Sequence, residues 1–120
     1  MEAFNVIFYS RQDGTRPVEE FIASLDSDMR AKVFYAIQML RENGIKLRSP
    51  FSKHLDDGIF ELRARAGSNA SRVLYFFFVN RTIVLTHGFI KKTQKTPKDE
   101  IKRAKKYRND FFKQINKVKS

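Results

Sequence analysis

Hydrophobic residues occupy every second position in the segment GIFELRAR, which begins at Gly58. A period of two is typical of a β-strand that buries one face, and we predict such a strand over residues 59–65. The apolar positions that define the buried face are Phe60, Leu62 and Ala64. The residues between them, expected on the opposite face, are Glu61, Arg63 and Arg65.

Two further apolar runs predict two more strands, over residues 72–79 and 82–89. The connections beside the first of these runs span residues 66–71 and the pair Asn80-Arg81. Both are short enough for hairpins, so we expect antiparallel pairing. The middle strand, with the sequence RVLYFFFV, is apolar on both faces, as expected at the centre of a sheet.

The N-terminal third of the chain predicts a strand followed by a helical hairpin. Alternation over residues 4–9 indicates the strand. Pro17 suits the first position of a helix that we predict over Pro17–Leu25. Asp26 can cap a second helix, which the pair Asn43-Gly44 ends. The composition of residues 45–57 is typical of a loop.

A basic helix is predicted at the C-terminal end, where Thr96, Pro97 and Asp99 fit a capping box with proline at the first helical position. The elements then run β-α-α-β-β-β-α. This order predicts an α+β fold, in which an antiparallel sheet carries an N-terminal helical hairpin and a C-terminal helix. The length of 120 residues fits a single domain with one core over residues 1–120.

The charge balance indicates the kind of partner. The chain has 24 Lys and Arg against 13 Asp and Glu, a formal net charge of +11. Such a surface favours a polyanion, and nucleic acid is the leading interpretation. The absence of cysteine excludes disulfides, thiolate metal sites and cysteine nucleophiles. Without a signal-peptide pattern or an apolar run of about 20 residues, we expect a cytoplasmic protein without membrane contact.

The basic residues of the predicted strands are suited to cleaving RNA without a metal. The 2′-hydroxyl of RNA is an internal nucleophile, so an enzyme must align it with phosphorus, move a proton and stabilise charge on the phosphoryl oxygens. Arg63 and Arg72 can stabilise that charge through their planar, protonated guanidinium groups. Lys91 and Lys92 can add to it. His87 is a candidate for the proton transfer because histidine titrates near neutrality.

These candidates also have structural interpretations. An exposed arginine is common, although three that converge from adjacent strands favour a shared site. His87 falls in the register of Ile83 and Leu85, which slightly favours a hydrogen-bonded core histidine. The lysines that follow it can form a solvated basic loop. Glu61 stands alone among the acidic residues of the strands, so the pattern predicts no metal site.

Two segments resemble the RelE/ParE toxin superfamily, and within it the HigB-like branch that includes phage Gp49-like proteins. They are ELR at Glu61–Arg63 and HGFIKKTQKTP at His87–Pro97, and the resemblance extends over nearly the whole chain. It implies a RelE-like fold and the toxin of a type II toxin–antitoxin system, an endoribonuclease that cleaves mRNA on the translating ribosome without metal or cofactor. The implied partners are mRNA, the ribosome and a HigA-like helix-turn-helix antitoxin in a toxin–antitoxin hetero-oligomer.

The same resemblance implies roles for individual residues. Arg63 and Arg72 correspond to residues that contact the scissile phosphate, and Lys91 and Lys92 fall where relatives have a basic residue after the last strand. Glu61 stands where several relatives have a lysine. It either orients Arg63 or takes the proton itself, with His87 as the other candidate for that role. Further RNA contacts are expected from Arg65, Lys92, Lys95 and Lys98.

The superfamily also contains members that inhibit DNA gyrase without cutting RNA. Fold alone does not separate the two activities. A ParE-like gyrase inhibitor or a basic nucleic-acid-binding repressor is therefore the alternative function, while the charge density and the segment KKTQK favour RNA.

Overall fold

A five-stranded sheet carries two helices on one face and a third helix on the other. The computed structural model describes residues 3–92 and 95–119. Its elements are β1 (Asn5–Phe8), α1 (Pro17–Ala23), α2 (Ser27–Asn43), β2 (Ser52–Asp56), β3 (Ile59–Ala66), β4 (Asn69–Phe78), β5 (Thr82–Lys91) and α3 (Lys98–Lys119), with one turn of 3-10 helix at Gly44–Lys46. This order confirms the predicted α+β fold. Within the described ranges, no helix has the length and apolar character needed to cross a membrane.

The strand order across the sheet is β1-β5-β4-β3-β2. β3, β4 and β5 pair antiparallel through hairpins, as predicted. β1 instead pairs parallel with β5, so the expectation of a wholly antiparallel sheet is wrong at this edge. The reason is topological. The chain passes through two helices and three strands before it returns to β1, so no tight turn fixes the direction of this pair.

β2 lies in the segment that the sequence predicted to be a loop. It pairs antiparallel with β3, with Ser52 opposite Leu62. Its residues, SKHLD, alternate only weakly in hydrophobicity, so the strand depends on the hydrogen bonds that β3 offers rather than on its own pattern. Beyond Leu62 the edge of β3 lies beside the preceding turn, where the N–H of Arg63 donates to the carbonyl of Phe51 at 2.7 Å.

α2 supplies much of the apolar core on its face of the sheet. The helix begins where the Asp26 carboxylate accepts a hydrogen bond from the backbone N–H of Met29 at 2.8 Å, which confirms the predicted cap. Its buried residues recur at helical spacing: Met29, Val33, Ala36, Ile37 and Leu40. With α1 they pack against sheet residues that include Leu62 and Leu85.

α3 covers the opposite face of the sheet, over a second apolar cluster. Ala104 of this helix is fully buried. The strand residues packed in the same cluster are Ile59, Leu74, Phe76 and Val84. Near Glu61 the charged face of β3 is therefore covered, and the Glu61 side chain has no exposed surface, whereas Arg65 farther along the strand is exposed.

A β-bulge in β5 decides which face His87 occupies. Leu74 of β4 lies opposite His87, and the next residue, Tyr75, lies opposite Leu85, so Thr86 is an extra residue in β5. The Thr86 hydroxyl donates to the carbonyl of Leu74 at 3.1 Å. Because a one-residue insertion reverses the side of every following side chain, His87 points toward α3. The predicted register of His87 with Ile83 and Leu85 is wrong for this reason.

Gly88 marks a close approach between β5 and α1. A Cβ atom at this position would lie 2.2 Å from a ring carbon of Phe21. We expect Gly88→Ala to lower the free energy of unfolding by about 1–3 kcal/mol through overpacking, measured by urea denaturation. The same substitution should cost less in a Phe21→Leu background. Equal losses in both backgrounds would show that the ring is not the obstacle.

Candidate functional site

The buried carboxylate of Glu61 on β3 is surrounded by basic side chains. Glu61 has no exposed side-chain surface. Its Oε2 accepts a hydrogen bond from Nε of Arg63 at 3.1 Å, and Nη2 of the same arginine lies 3.1 Å from that oxygen. Its Oε1 accepts a hydrogen bond from the hydroxyl of Thr96. Both carboxylate oxygens therefore have partners, which fixes the side chain in one orientation.

Two further cations lie beside the same carboxylate. Nε of Arg72 is 3.3 Å from Oε1 of Glu61, and Nζ of Lys91 is 3.8 Å from it. We call Glu61, Arg63, Arg72 and Lys91 the Glu61 cluster. With one carboxylate and three cationic side chains, it has two positive charges in excess.

Strand register brings the Glu61 cluster together. Arg63 of β3 lies directly opposite Arg72 of β4, and Lys91 of β5 lies opposite Ala70 of β4. Alternation along β3 places Glu61 on the same face as Arg63. Three adjacent strands thus contribute to one site, and their hydrogen-bonded ladders set the spacing of its charges.

The positive charge of the Glu61 cluster is incompletely paired, which favours binding of an anion. Burial lowers the pKa of Arg72, and burial also lowers the pKa of Lys91, with the neighbouring arginines adding to that effect. Nη1 of Arg72 donates to the carbonyl of Ser71 at 2.8 Å, whereas its buried Nε has no hydrogen-bond partner within residues 3–92 and 95–119. The 3.3 Å contact of this Nε with Glu61 is an ionic attraction without hydrogen-bond alignment. A buried cation that is incompletely paired favours binding of a further anion.

A groove of about 440 Å³ connects the Glu61 cluster with the surface. Arg63, Arg72 and the exposed Arg65 all line it. Its lining also includes residues of α2 and of the turn before β2: Lys32, Tyr35, Ala36, Pro50 and Phe51. The three arginines predicted from the strand pattern therefore share one opening to solvent.

His87 has its hydrogen-bond partners outside the Glu61 cluster. Its Nε2 is 3.2 Å from Oε1 of Glu100, and its Nδ1 is 3.2 Å from the hydroxyl of Thr86. Burial lowers the pKa of His87 to about 4, and the charge of Arg103 contributes to the decrease. The imidazole is therefore neutral near pH 7. The contacts of His87 link β5 to α3. They agree with the interpretation of His87 as a hydrogen-bonded structural residue.

The remaining basic candidates lie after β5 and are exposed: Lys92, Lys95 and Lys98. Lys91, by contrast, is the last residue of β5 and its ammonium group is buried, so it does not belong to a solvated loop. Two residues of the basic segment, Thr93 and Gln94, lie outside the described residues.

Three residues of the site and the groove were not predicted as functional from the sequence: Thr96, Tyr35 and Phe51. Thr96 looked like a helix cap, but its hydroxyl donates to Glu61 and α3 begins at Lys98. Tyr35 and Phe51 of the groove carried no motif. A signal for Tyr35 was nevertheless present, because it is a large aromatic residue outside the apolar stripe of α2. Among residues 3–92 and 95–119, no three His, Cys, Asp or Glu side chains are grouped as metal ligands.

Comparison with known proteins identifies one family. A family model described as phage derived protein Gp49-like matches residues 20–109. The matched region extends from α1 into α3 and contains the whole Glu61 cluster. No curated protein matches the chain.

Removal of the Glu61 charge tests its role in the cluster. Glu61→Gln keeps the shape of the side chain but leaves the buried cations of Arg72 and Lys91 unpaired. We expect the free energy of unfolding to fall by about 3 kcal/mol, measured by urea denaturation, with partial recovery in sulfate. Asp56→Asn is the matched control, because Asp56 also pairs with a lysine, Lys105, but is largely exposed, and it should cost far less. Wild-type stability of Glu61→Gln would contradict this role.

The lowered pKa of His87 predicts a loss of stability in acid. The unfolded chain takes up this proton near pH 6.5 and the folded chain only near pH 4, so the stabilisation is present above pH 6.5 and is lost as the pH falls toward 4. Between pH 7 and pH 5 the contribution to the free energy of unfolding should fall by about 2 kcal/mol. Urea denaturation at the two pH values should show a smaller decrease for His87→Gln than for the wild type. The same decrease in both proteins would exclude His87 as its source.

Proposed function

The chain belongs to the phage-derived Gp49-like family, which is the RelE/HigB-like toxin family, and we propose that it is the toxin of a type II toxin–antitoxin system that cleaves mRNA on the ribosome. Cleavage uses the 2′-hydroxyl of the RNA as nucleophile and needs neither metal nor cofactor. The observation that carries the proposal is the Glu61 cluster, in which three cations from adjacent strands surround one buried carboxylate. The excess positive charge suits a phosphodiester that gains charge in the transition state.

In the proposed reaction, the phosphodiester binds with its non-bridging oxygens against Arg63 and Arg72. The 2′-oxygen attacks phosphorus, a new bond from the 2′-oxygen to phosphorus forms, and the bond from phosphorus to the 5′-oxygen breaks. The products are a 2′,3′-cyclic phosphate and a 5′-hydroxyl. The guanidinium groups stabilise the charge that accumulates on the phosphoryl oxygens in between.

Proton transfer falls to Lys91 in this proposal. Its ammonium group gives a proton to the departing 5′-oxygen, the 2′-hydroxyl proton passes to water, and solvent restores the proton on Lys91. Burial lowers the pKa of Lys91, which makes its ammonium group a stronger acid than an exposed lysine. Glu61 acts as a positioning residue, because its oxygens are already engaged by Arg63 and Thr96. We give the neutral, separately bonded His87 no part in the chemistry.

The exposed basic residues would hold the RNA and the ribosome. Arg65 lines the groove and is exposed, as are the lysines after β5: Lys92, Lys95 and Lys98. Such contacts act through phosphates and add affinity without reading sequence. A HigA-like antitoxin would silence the toxin in a hetero-oligomer in the cytoplasm.

Substitution of the two arginines tests the nuclease proposal. We expect Arg63→Ala and Arg72→Lys each to lower the rate of mRNA cleavage by about 100-fold and to relieve growth arrest, because the first removes a guanidinium group and the second keeps only a point charge. Mapping of mRNA 5′ ends after induction measures cleavage directly. Arg103→Ala is the control, since Arg103 is exposed on α3 and outside the Glu61 cluster.

Two outcomes would contradict the nuclease proposal. One is full toxicity of both folded arginine variants, with folding established by circular dichroism. The other is growth arrest by the wild type with intact transcripts. Arrest accompanied by DNA damage would indicate gyrase inhibition instead.

A further inference from the structure

The groove beside the Glu61 cluster is lined by aromatic residues as well as by arginines. Tyr35 is 57% exposed, and its ring centroid lies 6.1 Å from that of Phe51 at a tilted angle. Arg63, Arg65 and Arg72 also line the groove. The groove thus combines aromatic surface with three cationic side chains.

The core does not require an aromatic residue at position 35. The buried stripe of α2 includes Val33, Ala36 and Ile37, and Tyr35 falls outside it. Because 57% of Tyr35 is exposed, part of its ring surface is available to a ligand, and burial of this side chain contributes little to the stability of the core. Phe34, the preceding residue, is similarly exposed at 50% but does not line the groove.

A nucleotide of single-stranded RNA is complementary to both the aromatic residues and the arginines of the groove. Nucleobases stack on aromatic side chains, while cationic grooves follow the phosphates. A volume of about 440 Å³ is within the range of small-molecule sites, so a base and its sugar can be accommodated. Arg63 and Arg72 belong to both the groove and the Glu61 cluster, so a nucleotide in the groove is next to a phosphate in the cluster.

We infer that the groove is a nucleotide subsite, in which a base of single-stranded RNA stacks on Tyr35 while Arg65 binds the outer phosphate of that nucleotide. Identification of the inner phosphate as the one that is cut depends on the proposed function; the stacking itself does not. Because stacking uses the face of a base rather than its edge, the subsite accepts every base and binds purines more tightly than pyrimidines.

Binding of a 2′-deoxy oligonucleotide, which lacks the nucleophile and stays uncut, tests this subsite. Fluorescence anisotropy at low salt should show Tyr35→Ala binding about tenfold more weakly than the wild type, and Tyr35→Phe binding nearly as well. Phe34→Ala is the matched control, since it removes an equally exposed aromatic residue from the same helix, and its affinity should not change. An abasic oligonucleotide of the same length keeps the phosphates, so Tyr35→Ala and the wild type should bind it equally.

Four results would overturn the subsite: unchanged affinity of Tyr35→Ala, an equal loss in Phe34→Ala, a loss that persists with the abasic strand, or no binding by the wild type. The cleavage assay separates this inference from the nuclease proposal. If Tyr35→Ala loses base-dependent binding while the wild type leaves mRNA intact on ribosomes, the subsite stands and the nuclease proposal fails. If the wild type cuts mRNA and Tyr35→Ala binds normally, the subsite alone fails.

Discussion

The buried carboxylate of Glu61 is the constraint on which the arrangement of this site depends. Arg63 and Arg72 face each other across β3 and β4, and Lys91 adds a third positive charge beside them. Like charges directly opposite on a sheet repel, and water can screen them little at a buried position. One central anion offsets this repulsion and leaves the cluster positive. The three cationic side chains can therefore remain adjacent in the folded protein and still attract a phosphate.

Placement on strands makes this charge arrangement rigid. The backbone ladders fix the spacing of Arg63 and Arg72, and the apolar layers under α2 and α3 hold the sheet from both sides. Charges that are already oriented need little reorganisation when a phosphoryl group reacts, which is the condition for effective electrostatic stabilisation. The groove then connects this fixed site with a surface where Tyr35 and Arg65 are accessible.

The hairpins were predictable from the sequence because a period of two and short connections determine local pairing. That pairing was enough to bring Arg63 and Arg72 onto adjacent strands. Features that depend on distant parts of the chain were not predictable. Burial of Glu61 requires α3 and Thr96 to pack over the sheet, and the side that His87 occupies depends on a bulge that leaves no mark in an alternating pattern. β2 was not predicted because an edge strand with weak alternation is stabilised by its hydrogen bonds with the neighbouring strand, here β3.

A crystal structure of the protein with a short 2′-deoxy oligonucleotide is the most direct measurement of whether the Glu61 cluster is a phosphate site. We predict one phosphate within hydrogen-bonding distance of Arg63, Arg72 and Lys91, with the Glu61 carboxylate still paired behind them. An oligonucleotide bound elsewhere on the basic surface, with the Glu61 cluster unchanged and without a phosphate, would contradict this conclusion.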